Sequence, residues 1–203
     1  MLPPLLSGLP TCRWPVGLVD NPWRFKVRSR ATGLGRSPDR HYPTMPLEEL
    51  AALPVGRFFR RDAYLFFCVT GPFFAAGAHV PIARAWGFDP TAVAFVWVKP
   101  VLHKYQKEVV LDDDCFAMKQ GFTTRQNAEY VVLCRRGDPP PRLSKSIRQV
   151  IVEPAREHSR KPEKLYRRIE AYARGPYLEL FGRATCRPGW TIRGDEVGKF
   201  DDD

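Results

Sequence analysis

Uninterrupted apolar runs, set apart by polar, glycine-rich and proline-rich segments, are the main pattern along this chain. A strand that is apolar at every position is buried on both faces, and such strands are typical of parallel sheets. The run at residues 15–20 is one of these, and it ends on an acidic residue, Asp20. The other predicted strands lie at 62–70, 92–98, 129–134, 176–181 and 190–193, and 147–152 is predicted as a short strand or a helical turn.

Helical patterns fall between several of these strands. The segment 45–50 is predicted as a short helix with Thr44 as its N-cap. A second helix is expected at 73–86, weakened by Pro81, and a third at 162–173. Strands that alternate with helices predict an α/β protein, in which a mostly parallel sheet carries helices on both faces.

The composition agrees with a single domain over residues 1–203, since 44% of the residues are hydrophobic and no linker divides the chain. Lysine and arginine number 32 against 22 acidic residues, which gives a net charge of +10. Arginine supplies most of that charge, and its planar fork binds phosphate well. A polyanionic partner and a merely solvated basic surface both remain open. Residues 24–40 are the densest basic segment and are expected to form a loop.

Several classes of protein are excluded at this stage. No apolar run reaches the roughly 18 residues that cross a bilayer, so no membrane partner is expected. The first ten residues make a poor signal peptide. The five cysteines lack CxxC spacing and are expected to be reduced thiols, and the four histidines show no metal-binding pattern. We therefore expect no metal site.

The end of the first predicted strand carries the most informative residues, Asp20, Asn21, Pro22 and Trp23. Ligands of α/β sheets bind beyond the carboxyl ends of strands. The exocyclic amine of adenine is a poor nucleophile because its lone pair is delocalised into the ring. The Asp20 carboxylate and the Asn21 carbonyl are suited to accept the two amine hydrogens, while Trp23 is suited to stack on the base. The alternative is a strand end that turns at Pro22 and buries Trp23.

With this tetrapeptide the chain resembles the adenine N(6)-methyltransferases of the MT-A70 family, and their phage and bacterial DNA methyltransferase branch in particular. The family motif D-P-P-W is D-N-P-W in this sequence. Further segments match family motifs in order and spacing from about residue 16 to residue 196, which makes the set more specific than any single motif. They are HYPTM at 41–45, LFFCVT at 65–70, AWGF at 85–88, FVWVK at 95–99, TRQN at 124–127, REHSRKPE at 156–163, PYLELFGR at 176–183 and PGW at 188–190.

The resemblance implies a single-domain, Rossmann-like fold that depends on S-adenosylmethionine. In that fold a mostly parallel, seven-stranded sheet contains one antiparallel strand. The motif order is permuted, so that the catalytic strand precedes the strand that binds the cofactor.

The resemblance also implies roles for individual residues. Lys161 would hold the carboxylate end of S-adenosylmethionine, and Arg183 would contact its ribose or carboxylate region. Tyr42 would contact the substrate adenine. The catalytic residues would be Asp20, Asn21, Pro22 and Trp23, and the remaining cofactor-binding candidates are Phe181, Gly182, Asp195 and Glu196.

Two features depart from the family pattern. Asn21 stands where the family has proline, so an acceptor carbonyl is kept but one rigid ring is lost. A displacement of about 1 Å at a reacting centre can lower a rate on the order of 100-fold. The segment 99–127 differs most, and together with the basic loop 24–40 it is a candidate substrate-recognition element. Its acidic residues 112–114 are expected to face away from DNA.

The leading hypothesis is an S-adenosylmethionine-dependent methyltransferase that acts on the N(6) amine of a flipped adenine in DNA. Two alternatives remain open: a non-catalytic nucleic-acid-binding relative and an RNA adenosine methyltransferase. A homodimer is also left open, and the expected location is the cytoplasm of a bacterium or of a phage-infected host. The residues expected to follow phosphates are 24–40, Arg135, Arg136, Arg142 and Arg148.

Overall fold

Strands dominate the part of the chain that the computed structural model describes, which is residues 3–24, 44–101, 116, 124, 126–155, 160–183, 187–194 and 197. Each apolar run predicted as a strand forms one, and a strand also lies within 147–152, so these predictions are confirmed. The strands are β1 (Trp14–Asp20), β2 (Phe59–Thr70), β3 (Asp89–Val98), β4 (Ala128–Arg136), β5 (Val150–Val152), β6 (Tyr177–Leu180) and β7 (Trp190–Arg193).

Within these described ranges the strands form one seven-stranded sheet in the order β5-β3-β4-β2-β1-β6-β7. The strand β1 lies in the interior of the sheet and pairs in parallel with β2 and β6. The pairs β6–β7 and β3–β5 are also parallel. The strand β4 runs antiparallel to both of its neighbours, β2 and β3. The sheet is therefore mostly parallel with one antiparallel strand, as in a Rossmann-like methyltransferase.

The helices lie between strands along the chain, and two details of their prediction are wrong. The helices are α1 (Leu47–Ala52), α2 (Gly71–Ala75), α3 (His79–Ala85) and α4 (Glu163–Tyr172). Thr44 does not cap α1, because the residue before that helix is Pro46 and no side chain caps it. The helix expected at 73–86 is two helices, separated where Gly77 takes a left-handed φ of 64°. Pro81 is accommodated in the first turn of α3, where its missing N–H leaves no helical bond unmade.

Each face of the sheet is covered by its own hydrophobic core. On one face Leu50 of α1 and Ile82 of α3 belong to the core that contains Phe67 of β2. On the other face Ile169 of α4 belongs to the core that contains Phe66. Adjacent residues of β2 thus serve opposite cores, which confirms the prediction of helices on both faces.

One edge of the sheet gathers the carboxyl ends of the parallel strands. Because β4 runs the other way, its first residues lie at this edge, where Glu129 pairs with Thr70 and with Trp97. Its last residues lie at the opposite edge, where Arg136 pairs with Ala63. The direction of β4 therefore decides which of its charged residues lie near the end of β1. Within the described ranges, no helix is both long enough and apolar enough to span a membrane.

Candidate active site

Four charged side chains meet at the carboxyl edge, on the face covered by α4. The Lys161 Nζ atom lies 2.7 Å from Asp20 Oδ2 and 3.2 Å from Glu129 Oε2. The other oxygen of Glu129 forms an ion pair with Lys99. The Lys161 side chain is 6% exposed, whereas that of Asp20 is 22% exposed. The site thus has a row of alternating charges, with the Asp20 carboxylate partly open to solvent at one end.

The start of α4 determines where Lys161 lies. The Glu153 carboxylate accepts hydrogen bonds from the backbone N–H groups of Glu163 and Lys164, at 2.9 and 3.2 Å. A carboxylate at this place satisfies donors that the first turn of a helix leaves free. The backbone carbonyl of Glu153 accepts a bond of 2.7 Å from Trp97 Nε1. The helix start is therefore tied to β3, and Lys161, two residues upstream, is brought to the same edge.

Burial and neighbouring charge set the protonation of these groups. Burial raises the pKa of the Asp20 carboxyl above its ordinary value, and the Lys161 ammonium opposes that rise. Burial acts in the same direction on Glu129, but the ammonium groups of Lys161 and Lys99 outweigh it and lower the pKa of Glu129 to about 2. Burial would lower the pKa of Lys161, but Asp20 and Glu129 raise it well above its usual range. Lys161 is therefore charged at neutral pH.

A third buried carboxyl group belongs to Glu179 of β6. It is 2% exposed, and both of its oxygens lie 3.1 Å from the Tyr166 hydroxyl. Burial raises the pKa of Glu179 to about 7, although the Tyr166 hydrogen bond opposes the rise. The negative charge of Asp20 adds to the rise. The protonation of Glu179 therefore changes near neutral pH.

The residues after Asp20 form a tight turn that is held from two sides. The Trp23 N–H donates to the Asn21 carbonyl at 2.9 Å, and the Met45 N–H donates to the Pro22 carbonyl at 2.9 Å. The Asn21 carbonyl oxygen keeps a second lone pair for another donor. Within the described residues, neither polar atom of the Asn21 side chain has a hydrogen-bond partner, although the residue is 3% exposed. The Asn21 carbonyl therefore keeps the capacity to accept one more hydrogen bond.

Trp23 is packed into the protein. Its ring stacks on Phe73 at 4.6 Å between centroids and on Phe67 at 5.9 Å, and the residue is 2% exposed. This is the packing expected if the strand end turns at Pro22 and buries the tryptophan. Stacking of Trp23 on a base stays a prediction.

Two glycines let the ends of β6 and β7 approach each other. The Gly182 N–H donates to the Arg193 carbonyl at 3.0 Å. A Cβ atom at Gly194 would lie 2.0 Å from the Gly182 carbonyl oxygen, and one at Gly182 would lie 2.6 Å from Ile192 Cγ2. Phe181 precedes this contact with a left-handed φ of 61°. Gly182, one of the predicted cofactor-binding residues, therefore lies in close contact with Gly194.

The structure brings together some of the predicted site residues and leaves others undescribed. Asp20, Lys161 and the buried Arg183 are near one another. Lys161 forms an ion pair with Asp20, and the positive charge of Arg183 opposes the rise in the pKa of Asp20. The residues that lie outside the described ones are Tyr42, Asp195, Glu196, the loop 24–40 apart from Arg24, and most of 99–127.

Described residues that flank two of these gaps lie near the site. Arg24 donates to the Thr44 carbonyl at 3.1 Å, so the described residues before and after the first gap meet beside the tetrapeptide. Gly194, which directly precedes Asp195, lies against Gly182. The predictions for Tyr42, Asp195 and Glu196 thus concern segments that begin at the carboxyl edge.

Part of the basic surface expected to follow phosphates lies elsewhere. Arg135 and Arg136 end β4 at the opposite edge of the sheet, because that strand is antiparallel. Arg136 donates to the Gly56 carbonyl there, and Arg135 pairs with Asp138 at 3.5 Å. These two arginines therefore lie away from the Asp20 site, and their contact with phosphates stays a prediction. Arg142 precedes Leu143, whose N–H donates a hydrogen bond to the carbonyl of Tyr172, the last residue of α4.

Sequence reasoning missed Glu129 and Glu179. An acidic residue inside an otherwise apolar strand is the signal that marks Glu179. Glu129 carries no such signal, because its place at the site depends on the direction of β4. Within the described ranges no group of three or more histidine, cysteine, aspartate and glutamate residues could hold a metal ion. Cys12, Cys68 and Cys134 are free thiols.

The mostly parallel sheet, with the tetrapeptide Asp20 to Trp23 at the end of its interior strand β1, has the architecture of a Rossmann-like methyltransferase. The MT-A70 family matches this chain over residues 14–196, and the chain therefore belongs to that family. It is also 28% identical to the Type II methyltransferase M.MunI of Mycoplasma sp over 205 residues, which cover 93% of this chain and 80% of that protein. Together these findings support a methyltransferase activity.

Proposed function

We propose that the protein transfers a methyl group from S-adenosylmethionine to the exocyclic N(6) amine of adenine in DNA. The observation that carries the proposal is the Asp20 carboxylate. It lies at the end of the interior strand β1, is partly exposed, and has one oxygen paired with buried Lys161. Its other oxygen makes no hydrogen bond or ion pair with the described residues, and is free to accept one from a substrate amine.

The residues at the end of β1 would orient the amine. Asp20 Oδ1 and the Asn21 carbonyl each accept one amine hydrogen, so that the nitrogen lone pair is directed away from the ring plane. The Lys161 ammonium keeps the Asp20 carboxylate in place. Pro22 restricts the turn, and Trp23 supports it by packing on Phe73.

The chemistry of the neighbouring side chains suits S-adenosylmethionine. Lys161 and Arg183 are cations beside Asp20, and they would hold the carboxylate end and the ribose or carboxylate region of the cofactor. When bound, the cofactor supplies an electrophilic methyl group on a positively charged sulfur. The remaining residues of this proposed site are Phe181, Gly182, Asp195 and Glu196, with Tyr42 on the adenine.

Two further observations support the proposal. The strand that ends at Asp20 comes first in the chain, and the strand that precedes Gly182 follows much later, although the two are neighbours in the sheet. This order agrees with the permuted arrangement proposed for amino-methyltransferases. The net charge of +10 favours a polyanionic substrate. The cytoplasmic location and a homodimer stay predictions.

Replacement of Asp20 by alanine tests the proposal directly. We expect Asp20→Ala to abolish methyl transfer and to keep the binding of S-adenosylmethionine, which calorimetry measures. Asp89→Ala is the matched control, because Asp89 is an exposed aspartate at the start of β3. Full activity of Asp20→Ala would contradict the proposed role of this carboxylate.

The same calorimetric titration separates the enzyme from a non-catalytic nucleic-acid-binding relative. Asn21 stands where the family has proline, and the loss of that rigid ring is the observation that favours the non-catalytic candidate. If the unmodified protein binds DNA but not S-adenosylmethionine, the non-catalytic candidate is correct. If it binds both, the proposed activity is supported.

A further inference from the structure

Glu129 and Asp20 are carboxylates from two strands that do not touch each other. The strand β2 lies between β1 and β4, so the two carboxylates meet only through Lys161. Two carboxylates close together repel each other unless a cation separates them. Lys161 is that cation, because its ammonium lies between the carboxylates of Asp20 on β1 and Glu129 on β4.

Lys99 gives Glu129 a second partner on its far side. One Glu129 oxygen pairs with Lys99 and the other lies 3.2 Å from Lys161, so both oxygens are engaged. The ammonium of Lys99 also lies 4.3 Å from the centre of the Trp97 ring, which holds it beside β3. The carboxylate of Glu129 is therefore fixed from both sides.

A lysine side chain has a flexible stem, and a single ion pair leaves its ammonium free to turn. With Asp20 at 2.7 Å and Glu129 at 3.2 Å, the Lys161 ammonium has partners on two sides. We propose that Glu129 is a positioning residue for methyl transfer: held by Lys99, it fixes the Lys161 ammonium beside the Asp20 carboxylate. This inference rests on the function proposed above.

Charged and titratable groups surround Asp20 and its partners Lys161 and Glu129. Lys161 and Tyr166 come from the segment that contains α4, Glu129 from β4, and Lys99 from the end of β3. The others are Cys68 of β2, Glu179 of β6 and Arg183, which follows β6. Glu129 and Lys99 can be changed without removing the Asp20–Lys161 contact.

Two substitutions in the row should move the titration of Asp20 in opposite directions. Glu129→Gln removes the negative charge of Glu129 from the neighbourhood of Asp20, so the pKa of Asp20 falls. Lys99→Met removes the second partner of Glu129, so that Lys161 is drawn toward Glu129 and the pKa of Asp20 rises. Carbon-13 NMR of the Asp20 carboxyl group measures both shifts without any need for activity.

Activity provides the second readout. We expect Glu129→Gln to lower kcat about tenfold, because a misplaced ammonium displaces Asp20 by a fraction of an ångström. Glu129→Asp keeps the charge and should recover part of the loss. The matched control is Glu170→Gln. It removes a carboxylate on α4 that forms an ion pair with Arg187. It should change neither the Asp20 titration nor the pH profile of kcat.

The outcomes separate this inference from the proposed function. Opposite shifts of the Asp20 pKa together with a lower kcat for Glu129→Gln support it. An unchanged Asp20 titration in Glu129→Gln and in Lys99→Met overturns it, even if both variants lose activity or stability. If the unmodified protein transfers no methyl group, the proposed function fails, and the NMR titration still decides whether Glu129 fixes the Lys161–Asp20 pair.

Discussion

Lys161 is a buried ammonium whose two carboxylate partners, Asp20 and Glu129, hold it in the charged form. Taking such charges out of water is expensive, and their attraction repays the expense only while every partner is present. A lysine at this place therefore contributes to the stability of the site as well as to its chemistry. The two contributions can be measured separately.

Replacement of Lys161 by methionine leaves two carboxylates without their shared cation. We expect Lys161→Met to lower the free energy of unfolding by about 3–5 kcal/mol, as for other buried pairs that lose one partner. Urea denaturation measures the change. Lys164→Met is the control, because Lys164 is exposed on α4, and its loss should stay within about 1 kcal/mol. Equal losses for the two variants would contradict the buried role of Lys161.

Glu179 predicts how stability depends on pH. Its pKa is about 7 in the folded protein against an ordinary value of 4.5, so the folded state binds the proton more tightly. The stability that this group contributes is present below pH 4.5 and is lost as the pH rises through about 7. The loss amounts to about 3 kcal/mol.

Glu179→Gln should remove this part of the pH dependence. The amide can keep a hydrogen bond with Tyr166 and carries no charge at any pH. We expect the melting temperature of the unmodified protein to fall between pH 5 and pH 8, and that of the variant to change less. Parallel slopes for the two proteins would show that Glu179 does not titrate in this range.

The ends of β6 and β7 are the elements whose geometry the cofactor would depend on. A Cβ atom at Gly194 would overlap the backbone carbonyl of Gly182, which no side-chain rotation relieves. We expect Gly194→Ala to destabilise the fold by several kcal/mol and to weaken the binding of S-adenosylmethionine.

Gly77→Ala is the control for that substitution. Gly77 has a left-handed backbone conformation with φ of 64°, which disfavours other residues, but no atom lies within 4 Å of the position that a Cβ atom would take. Its replacement should cost about 1 kcal/mol and leave cofactor binding unchanged. Thermal unfolding and calorimetry measure both effects. A Gly194→Ala protein as stable as Gly77→Ala would refute the close approach of the two strand ends.

Local pattern predicts the strands of this fold well and their directions poorly. Apolar runs mark β1, β2, β3, β4, β6 and β7, because each is buried and flanked by polar residues. Nothing local distinguishes β4 as antiparallel, because strand direction is decided by long-range pairing. For this reason the sequence predicts neither the place of Glu129 at the site nor that of Arg135 and Arg136 at the opposite edge.

The tetrapeptide was predictable because its residues are consecutive and follow an apolar strand. The Asp20–Lys161 pair was not, since the partners are far apart in sequence and the placement of Lys161 depends on the Glu153 cap of α4. The burial of Trp23 depends on Phe67 and Phe73, which come from β2 and α2. Contacts between distant elements are therefore the part that required the structure.

The distribution of charge over the whole molecule separates two basic regions. Arg24, the first residue of the segment 24–40, meets Thr44 beside the tetrapeptide. Arg135 lies at the opposite edge of the sheet. If DNA binds at the Asp20 site, the first region should contribute to binding and the second should not.

Salt dependence of DNA binding tests this division. We expect the double substitution of Arg28 and Arg30 by glutamine to weaken binding and to reduce the slope of log K against log salt by about 2, as for two lost phosphate contacts. Arg135→Gln should leave the slope unchanged. The reverse result would place DNA on the other edge of the molecule.

The central claim is methyl transfer to the N(6) amine of adenine in DNA. The most direct measurement incubates the protein with isotope-labelled S-adenosylmethionine and either DNA or RNA, digests the product and identifies the labelled nucleoside by mass spectrometry. We predict labelled N(6)-methyladenine from DNA with the unmodified protein and with Asp89→Ala, and none with Asp20→Ala. Label in another base, label in RNA alone, or no label in any nucleoside would contradict the claim.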